Sequence, residues 1–140
     1  MKDNYLPTDY QTFIATSRYA RWLEDKGRRE TWGETVERYM DNIIKPILKD
    51  ATKDINLIRD SILGLQVMPS MRSMMTAGKA AQRDNTCMYN CSYLPVDDMK
   101  SFDEAMFVLL CGTGVGFSVE RQFISKLPDV PKLFESETTV

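Results

Sequence analysis

The chain has 140 residues, 43% of them hydrophobic and 27% charged, with a formal net charge of −2. That balance argues against a polybasic nucleic-acid groove. No apolar run approaches the ~20 residues that cross a bilayer, and Met1-Lys2-Asp3-Asn4-Tyr5 lacks the apolar core of a signal peptide. A cytoplasmic protein with no membrane or nucleic-acid partner is therefore expected. Histidine is absent, which removes His-based zinc sites, Cys-His dyads and Ser-His-Asp triads, and no metal site is expected. Cys87, Cys91 and Cys111 are an odd set that does not make a disulfide scaffold. Chemistry here must run on cysteine, carboxylates or backbone amides, or on residues of another polypeptide.

Two parts are expected, a helical domain over 1–65 and an α/β segment over 66–140. Thr8-Asp9-Tyr10-Gln11 has capping-box form and precedes Phe13 and Ile14. Thr31-Trp32-Gly33-Glu34 has the same form. Trp32, Val36, Met40, Ile43 and Ile47 then follow at spacings of three and four, a helix face that Pro46 should end or kink near Ile44. A third helix is predicted from about Lys53 to Leu63, with Ile55, Ile58 and Ile62 inward and Gly64 as its stop.

After residue 65 helix and strand alternate. Thr86 to Val96 has little helical period and reads as a buried strand closed by Pro95 and Asp97-Asp98. Ser101-Phe102-Asp103-Glu104 reads as a capping box. Phe102, Ala105, Met106, Leu109 and Leu110 recur at helical spacing, with Phe107 and Val108 on the other side, so a helix covered on most faces is expected, with Gly112 ending it. Val115, Phe117 and Val119 alternate with small or polar residues as a strand. Strand, helix, strand over this length is the βαβ unit of a parallel sheet. The final Glu135–Val140 has strand-like composition. A sheet this small exposes both edges and rarely stands alone, so the chain reads as cut rather than finished.

Gly112-Thr113-Gly114-Val115-Gly116 permits close backbone approach to a ligand. A dinucleotide fingerprint needs strand, glycines, then helix. Here the order is helix, glycines, strand, so the alternatives are a helix stop before a strand of small residues or a ligand-facing strand. Cys87 and Cys91 would share one face of a strand about 13 Å apart, too far for a disulfide. Cys111 reads as a small buried apolar residue. Cys91 follows the polar Asn90 and is expected just upstream of a strand's C-terminal end, where α/β proteins place active sites. Reactive thiol and buried filler both remain open for it. Met68-Pro69-Ser70-Met71-Arg72-Ser73-Met74-Met75 reads as adaptable core filling. Ser70 there is either a turn or cap residue or a donor to an anion.

Arg18-Tyr19-Ala20-Arg21-Trp22-Leu23, Lys26-Gly27-Arg28 and Glu30-Thr31-Trp32-Gly33-Glu34-Thr35-Val36 together resemble the start of the adenosylcobalamin-dependent (class II) ribonucleotide reductases. In order along the chain, Pro69-Ser70-Met71-Arg72 with Gly78 resembles their substrate-pocket turn. Asn90-Cys91-Ser92 resembles their first redox-cysteine segment, and Gly112–Val119 with Arg121 their glycine-rich strand beside the substrate ribose. The resemblance implies a helical N-terminal domain followed by the first strands and helices of a ten-stranded α/β barrel, incomplete here. It also implies a reaction, conversion of ribonucleotides to 2′-deoxyribonucleotides by thiyl-radical chemistry for DNA replication. Cys91 matches one member of the redox cysteine pair, its partner lying outside this chain. Ser70, Asn90 and Gly114 match substrate-contacting positions. Implied partners are a ribonucleoside di- or triphosphate, the remaining C-terminal part of the reductase and a thioredoxin-type reductant. Adenosylcobalamin would be bound mainly by regions absent from this chain, and the fragment alone is expected to be inactive. Cys87 and Cys111 match no catalytic cysteine. Two alternatives stand beside this reading: a stand-alone helical binding or regulatory module, and the same segment of an iron- or manganese-dependent (class I) reductase.

Overall fold

A computed structural model describes residues 5–130. The strand expected over Glu135–Val140 lies outside the described residues.

Helix α1, Asp9–Ile14, starts at Thr8 with both hydrogen bonds of the expected capping box, and the chain runs on through a wider π-helical turn, Ala15–Tyr19. A two-residue antiparallel hairpin follows, β1 Trp22–Leu23 and β2 Arg28–Arg29. The helical reading of this part did not anticipate it, because strands of two residues carry no period. Helix α2, Trp32–Tyr39, begins with the second expected capping box at Thr31 and Glu34. It passes without a break into a π-helical turn, Met40–Ile44, and then α3, Lys45–Leu48. Pro46 does not stop this run, and the departure from regular α-helix falls on the π-helical turn that ends at Ile44. The Lys45 N–H reaches back five residues to the Met40 carbonyl, and the wider turn takes up the strain that the proline ring imposes on the carbonyl four residues before it.

Helix α4, Thr52–Leu63, buries Ile55, Ile62 and Leu63 as the pattern required. Gly64 caps it with φ −80°, and Leu65, at φ 59°, is the residue that turns left-handed. Trp32, Val36, Met40, Ile55, Ile62 and Leu63 close a core with Met74 from α5, Met71–Thr76. Of the methionine-rich run Met74 is core, whereas Met68 and Met71 are exposed.

A buried ionic knot fastens this core to α5. The Glu30 carboxylate, 6% exposed, accepts from the Arg21 amide at 3.0 Å, the Thr35 hydroxyl at 3.1 Å and Arg38 Nε at 2.8 Å. The Arg38 guanidinium donates onward to the carbonyls of Tyr19, Met74 and Ala77 at 2.8–3.0 Å. Arg29 donates to the Ala20 carbonyl at 3.0 Å, and Arg21 to that of Met75. Unpartnered, a buried carboxylate costs several kcal/mol. Here those three donors and Arg38 Nη2, at 3.0 Å, satisfy it, and the same arginine fixes the C-terminal end of α5.

Helix α6, Lys79–Arg83, and a 3₁₀ turn, Asn85–Met88, lead into β3, Cys91–Pro95. The strand is thus shorter than the expected Thr86–Val96, and Cys87 lies on the 3₁₀ turn rather than on a shared strand face with Cys91. Helix α7, Lys100–Leu110, starts before the expected Ser101 cap. Asp98 Oδ1 accepts from the Lys100 amide at 3.0 Å, while the buried Ser101 hydroxyl donates to the Pro95 carbonyl at 3.1 Å. Gly112, at φ +87°, ends α7 as expected. Its N–H reaches the Leu109 carbonyl at 2.9 Å and the Thr113 N–H that of Val108 at 3.2 Å, the paired closure that needs a left-handed residue. Strand β4, Gly114–Ser118, then pairs parallel to β3, which makes the expected βαβ unit. A short helix α8, Arg121–Ile124, follows. Neither β3 nor α7 is buried as expected: Tyr93, Phe102, Met106 and Leu110 are all exposed among the described residues. The ten-stranded barrel is not formed by these residues; the parallel sheet they make has two strands.

Candidate functional site

The parallel register sets Cys91 directly beside Gly114 at the point where both strands begin. Cys91 therefore sits at the N-terminal end of its strand, not near the C-terminal end as its sequence context suggested. The Asn85–Met88 turn consumes the residues that an earlier strand start would have used. The Gly114 N–H donates to the Asn90 carbonyl at 2.9 Å, which opens the ladder. A Cβ at Gly114 would stand 3.4 Å from that carbonyl, an ordinary van der Waals contact. The Ser92 hydroxyl donates to the Gly114 carbonyl at 3.2 Å.

Thr113 locks the entry to β4 from beneath. It is buried, and its Oγ1 lies 2.8 Å from the Thr86 carbonyl and 3.0 Å from that of Tyr89. Sequence reading gave it no role, since a threonine between two glycines looks like part of a loop. The 3₁₀ turn is held at its other end by Asp84, whose Oδ1 accepts from the Thr86 amide at 2.8 Å. Hydrogen bonds to Thr86 lower the carboxyl pKa of Asp84 below its ordinary value.

Ser70 and Asn90 both line a cleft of about 570 Å³, with Asn42, Gln82, Asn85 and Tyr89 among its other walls. Ser70 is exposed and makes no side-chain cap to α5, so its hydroxyl is uncommitted to the helix. The structure thus brings Ser70 and Asn90 to one cleft and Asn90, Cys91 and Gly114 to one strand junction. Arg72 joins them. Its Nε donates to Asn90 Oδ1 at 3.3 Å, and its Nη1 would stand 3.6 Å from a Cβ on Gly112. The sequence signal for Arg72 was available: no Asp or Glu lies three or four residues to either side of it.

The three thiols occupy different settings. Cys91 is exposed, whereas Cys87 and Cys111 are half-buried and line one cavity with Arg83, Asp84, Phe107 and Leu110. Among the described residues no group of three His, Cys, Asp or Glu side chains is placed to hold a metal ion. No helix there is long and apolar enough to cross a membrane.

This fold, a helical region leading into a βαβ unit with a cysteine and a glycine paired at its strand starts, matches a crystal structure of a B12-dependent (class II) ribonucleotide reductase. The TM-score is 0.70 at 29% identity, over 83% of this chain and 21% of that one. The chain is homologous to a segment of that class of enzyme. In sequence it is similar to the adenosylcobalamin-dependent ribonucleoside-triphosphate reductases of Lactobacillus delbrueckii subsp. bulgaricus, at 30% identity over 87% of this chain and 21% of the relative. The enzyme of the same description from Lactobacillus leichmannii is 31% identical over 80% of this chain and 20% of its own length. That of Lactobacillus gasseri is 28% identical over 79% and 19%. The chain thus spans about one fifth of the curated relatives it matches. No family model matches it.

Proposed function

We propose that this chain is the N-terminal part of an adenosylcobalamin-dependent ribonucleotide reductase and supplies one redox cysteine and one wall of the substrate pocket. The observation that carries the reading is the Cys91–Gly114 register pair, an exposed thiol beside a strand start that has no side chain to obstruct a ribose. Cys91 is the thiol that delivers hydrogen to the substrate. Two thiols together reduce the carbon: the 2′ C–O bond breaks, the hydroxyl leaves as water, a C–H bond forms, and the sulfurs join as a disulfide. The second sulfur belongs to the remaining C-terminal part of the reductase. A thioredoxin-type dithiol then reduces the disulfide and resets the site.

Ser70, Asn90 and Gly114 are the substrate contacts on this side, a hydroxyl, an amide and a strand that closely approaches the sugar. The relatives' description favours a ribonucleoside triphosphate over a diphosphate, and favours adenosylcobalamin over the iron- or manganese-dependent alternative. The cofactor supplies the radical that starts the reaction. No residue of this chain is assigned to it, in keeping with a site built mainly elsewhere in the reductase. The compartment is the cytoplasm. A stand-alone binding module is the weaker reading, because α7 and the sheet carry apolar side chains that nothing among the described residues covers.

The test is Cys91→Ser in the reductase completed by its remaining chain. With a thioredoxin-type reductant, multiple turnover is lost, while Cys87→Ser and Cys111→Ser retain it. Unchanged steady-state turnover in Cys91→Ser refutes the assignment.

A further inference from the structure

We infer that Arg72 binds the phosphate groups of the nucleotide and makes the site selective for a polyphosphorylated substrate. This deepens the reductase reading and rests on it. Arg72 stands two residues beyond Ser70, in the first turn of α5. Its guanidinium spans the two segments that enter the sheet, touching Asn90 before β3 and lying over Gly112 before β4. It therefore stands at the mouth of the junction where Cys91 and Gly114 are paired.

Its charge is not neutralised there. Among the described residues no carboxylate forms an ion pair with Arg72, and its one side-chain hydrogen bond is to the neutral amide oxygen of Asn90. At 3.3 Å that bond is long for an N–H donor. Five other arginines are already committed, Arg38 to Glu30, Arg28 to Glu34, Arg59 to Glu37, and Arg21 and Arg29 to backbone carbonyls; what distinguishes Arg72 from the rest is its place beside Asn90 and Gly112. A guanidinium carries five N–H donors in a planar fork that matches two oxygens of a phosphate. With one donor lightly engaged, Arg72 retains the fork, and the Asn90 side chain it touches lines the same cleft as the Ser70 hydroxyl, which makes no cap to α5. The ligand class that completes this arrangement is a polyphosphate whose sugar end lies toward Cys91.

The experiment is steady-state kinetics of the completed reductase carrying Arg72→Gln or Arg72→Lys, with ribonucleoside triphosphate and diphosphate as substrates and inorganic tripolyphosphate as inhibitor. Arg72→Gln should raise KM for the triphosphate roughly 10- to 100-fold, the loss expected when a charge-assisted hydrogen bond is removed. Its kcat should stay within about twofold, as befits uniform binding. The inhibition constant of tripolyphosphate should rise by a similar factor, and the triphosphate should lose more than the diphosphate. Arg72→Lys keeps the charge but not the fork and should give a smaller rise in KM. It also keeps the question answerable should the Gln variant fail to fold. A KM and a tripolyphosphate constant unchanged in either folded variant would overturn the inference, and so would a fall in kcat with KM held, which marks a residue that merely positions Asn90. Cys91→Ser assayed in parallel separates the two readings. If it abolishes multiple turnover while the Arg72 variants keep wild-type KM, the reductase reading stands and the Arg72 assignment falls.

Discussion

Val36, Met40 and Met74 in the helical part are all 0% exposed, whereas Phe102, Met106 and Leu110 on α7 are 56, 58 and 79% exposed. Both regions are rich in apolar side chains, yet the first covers its own and the second, among the described residues, does not. The helical part closes because α2, α4 and α5 meet face to face and because the Glu30–Arg38 knot binds segments far apart in sequence. The β3–α7–β4 unit has two strands and one helix, too few layers to shield both faces of either. Contiguous exposed apolar surface marks a place where another surface packs. On the proposed function, the rest of the reductase packs there. Stability then resides in one region and chemistry in the other, and α5 connects them: Arg38 holds its C-terminal end, while at the other end Ser70 lines the cleft and Arg72 reaches Asn90.

Several substitutions would break or sharpen that contrast. The largest effect is expected at the knot. Arg38→Met leaves the Glu30 carboxylate buried without its main partner and should cost ~3–5 kcal/mol, read as a shift in the urea midpoint with unchanged m-value. Met74→Ala should cost ~2–5 kcal/mol by opening a cavity in the core. The exposed Met71→Ala should stay within ~0.5 kcal/mol. Equal losses at the two methionines would mean that α5 is not docked as described. Gly112→Ala forces an alanine into a left-handed conformation and should cost about 1–2 kcal/mol. Its effect should appear as faster amide exchange in β4 and the end of α7, with α2 and α4 unaltered, if the two regions open independently.

The smallest effect concerns Glu34. Hydrogen bonds from Arg28 and Lys26, at 2.7 and 2.6 Å, hold its carboxyl well below the usual carboxylate range. A carboxyl pKa depressed in the folded state means that the unfolded chain takes up the proton first. The pair's contribution is therefore present at neutral pH and declines as pH falls below the ordinary value of 4.5. Thermal melts of Glu34→Gln against wild type should differ at pH 7 and converge in acid. A constant gap across that range would show that the carboxylate's charge is not what stabilises the hairpin.

How much of this was legible in the sequence follows from the range of each interaction. The capping boxes at Thr8 and Thr31 were readable because their partners stand three residues apart. The similar string at Ser101 misled, since Asp98 captures the helix start one turn earlier and Ser101 turns to the Pro95 carbonyl instead. Gly112 was readable as a stop, while Gly64 proved to be a cap whose left-handed turn falls on Leu65. The knot was not legible at all. Arg38 meets Glu30 eight residues away and Met74 thirty-six away, and no local pattern encodes such partners. Parts of the Arg18–Leu23 segment that carried the family resemblance are explained by it, as Tyr19 and Ala20 present carbonyls to arginines. At the candidate site the pairing of Cys91 with Gly114 depends on register across 23 residues. The resemblance anticipated both residues and the segment that carries Arg72, but the contact of Arg72 with Asn90 and the anchoring of Thr113 came only with the fold.

The most direct measurement is thiol mapping of the completed reductase after a single turnover without reductant. Alkylation followed by peptide mass analysis should find Cys91 blocked in a disulfide, one per deoxynucleotide formed, with Cys87 and Cys111 still free to react. Product formed while Cys91 remains fully alkylatable would contradict the account.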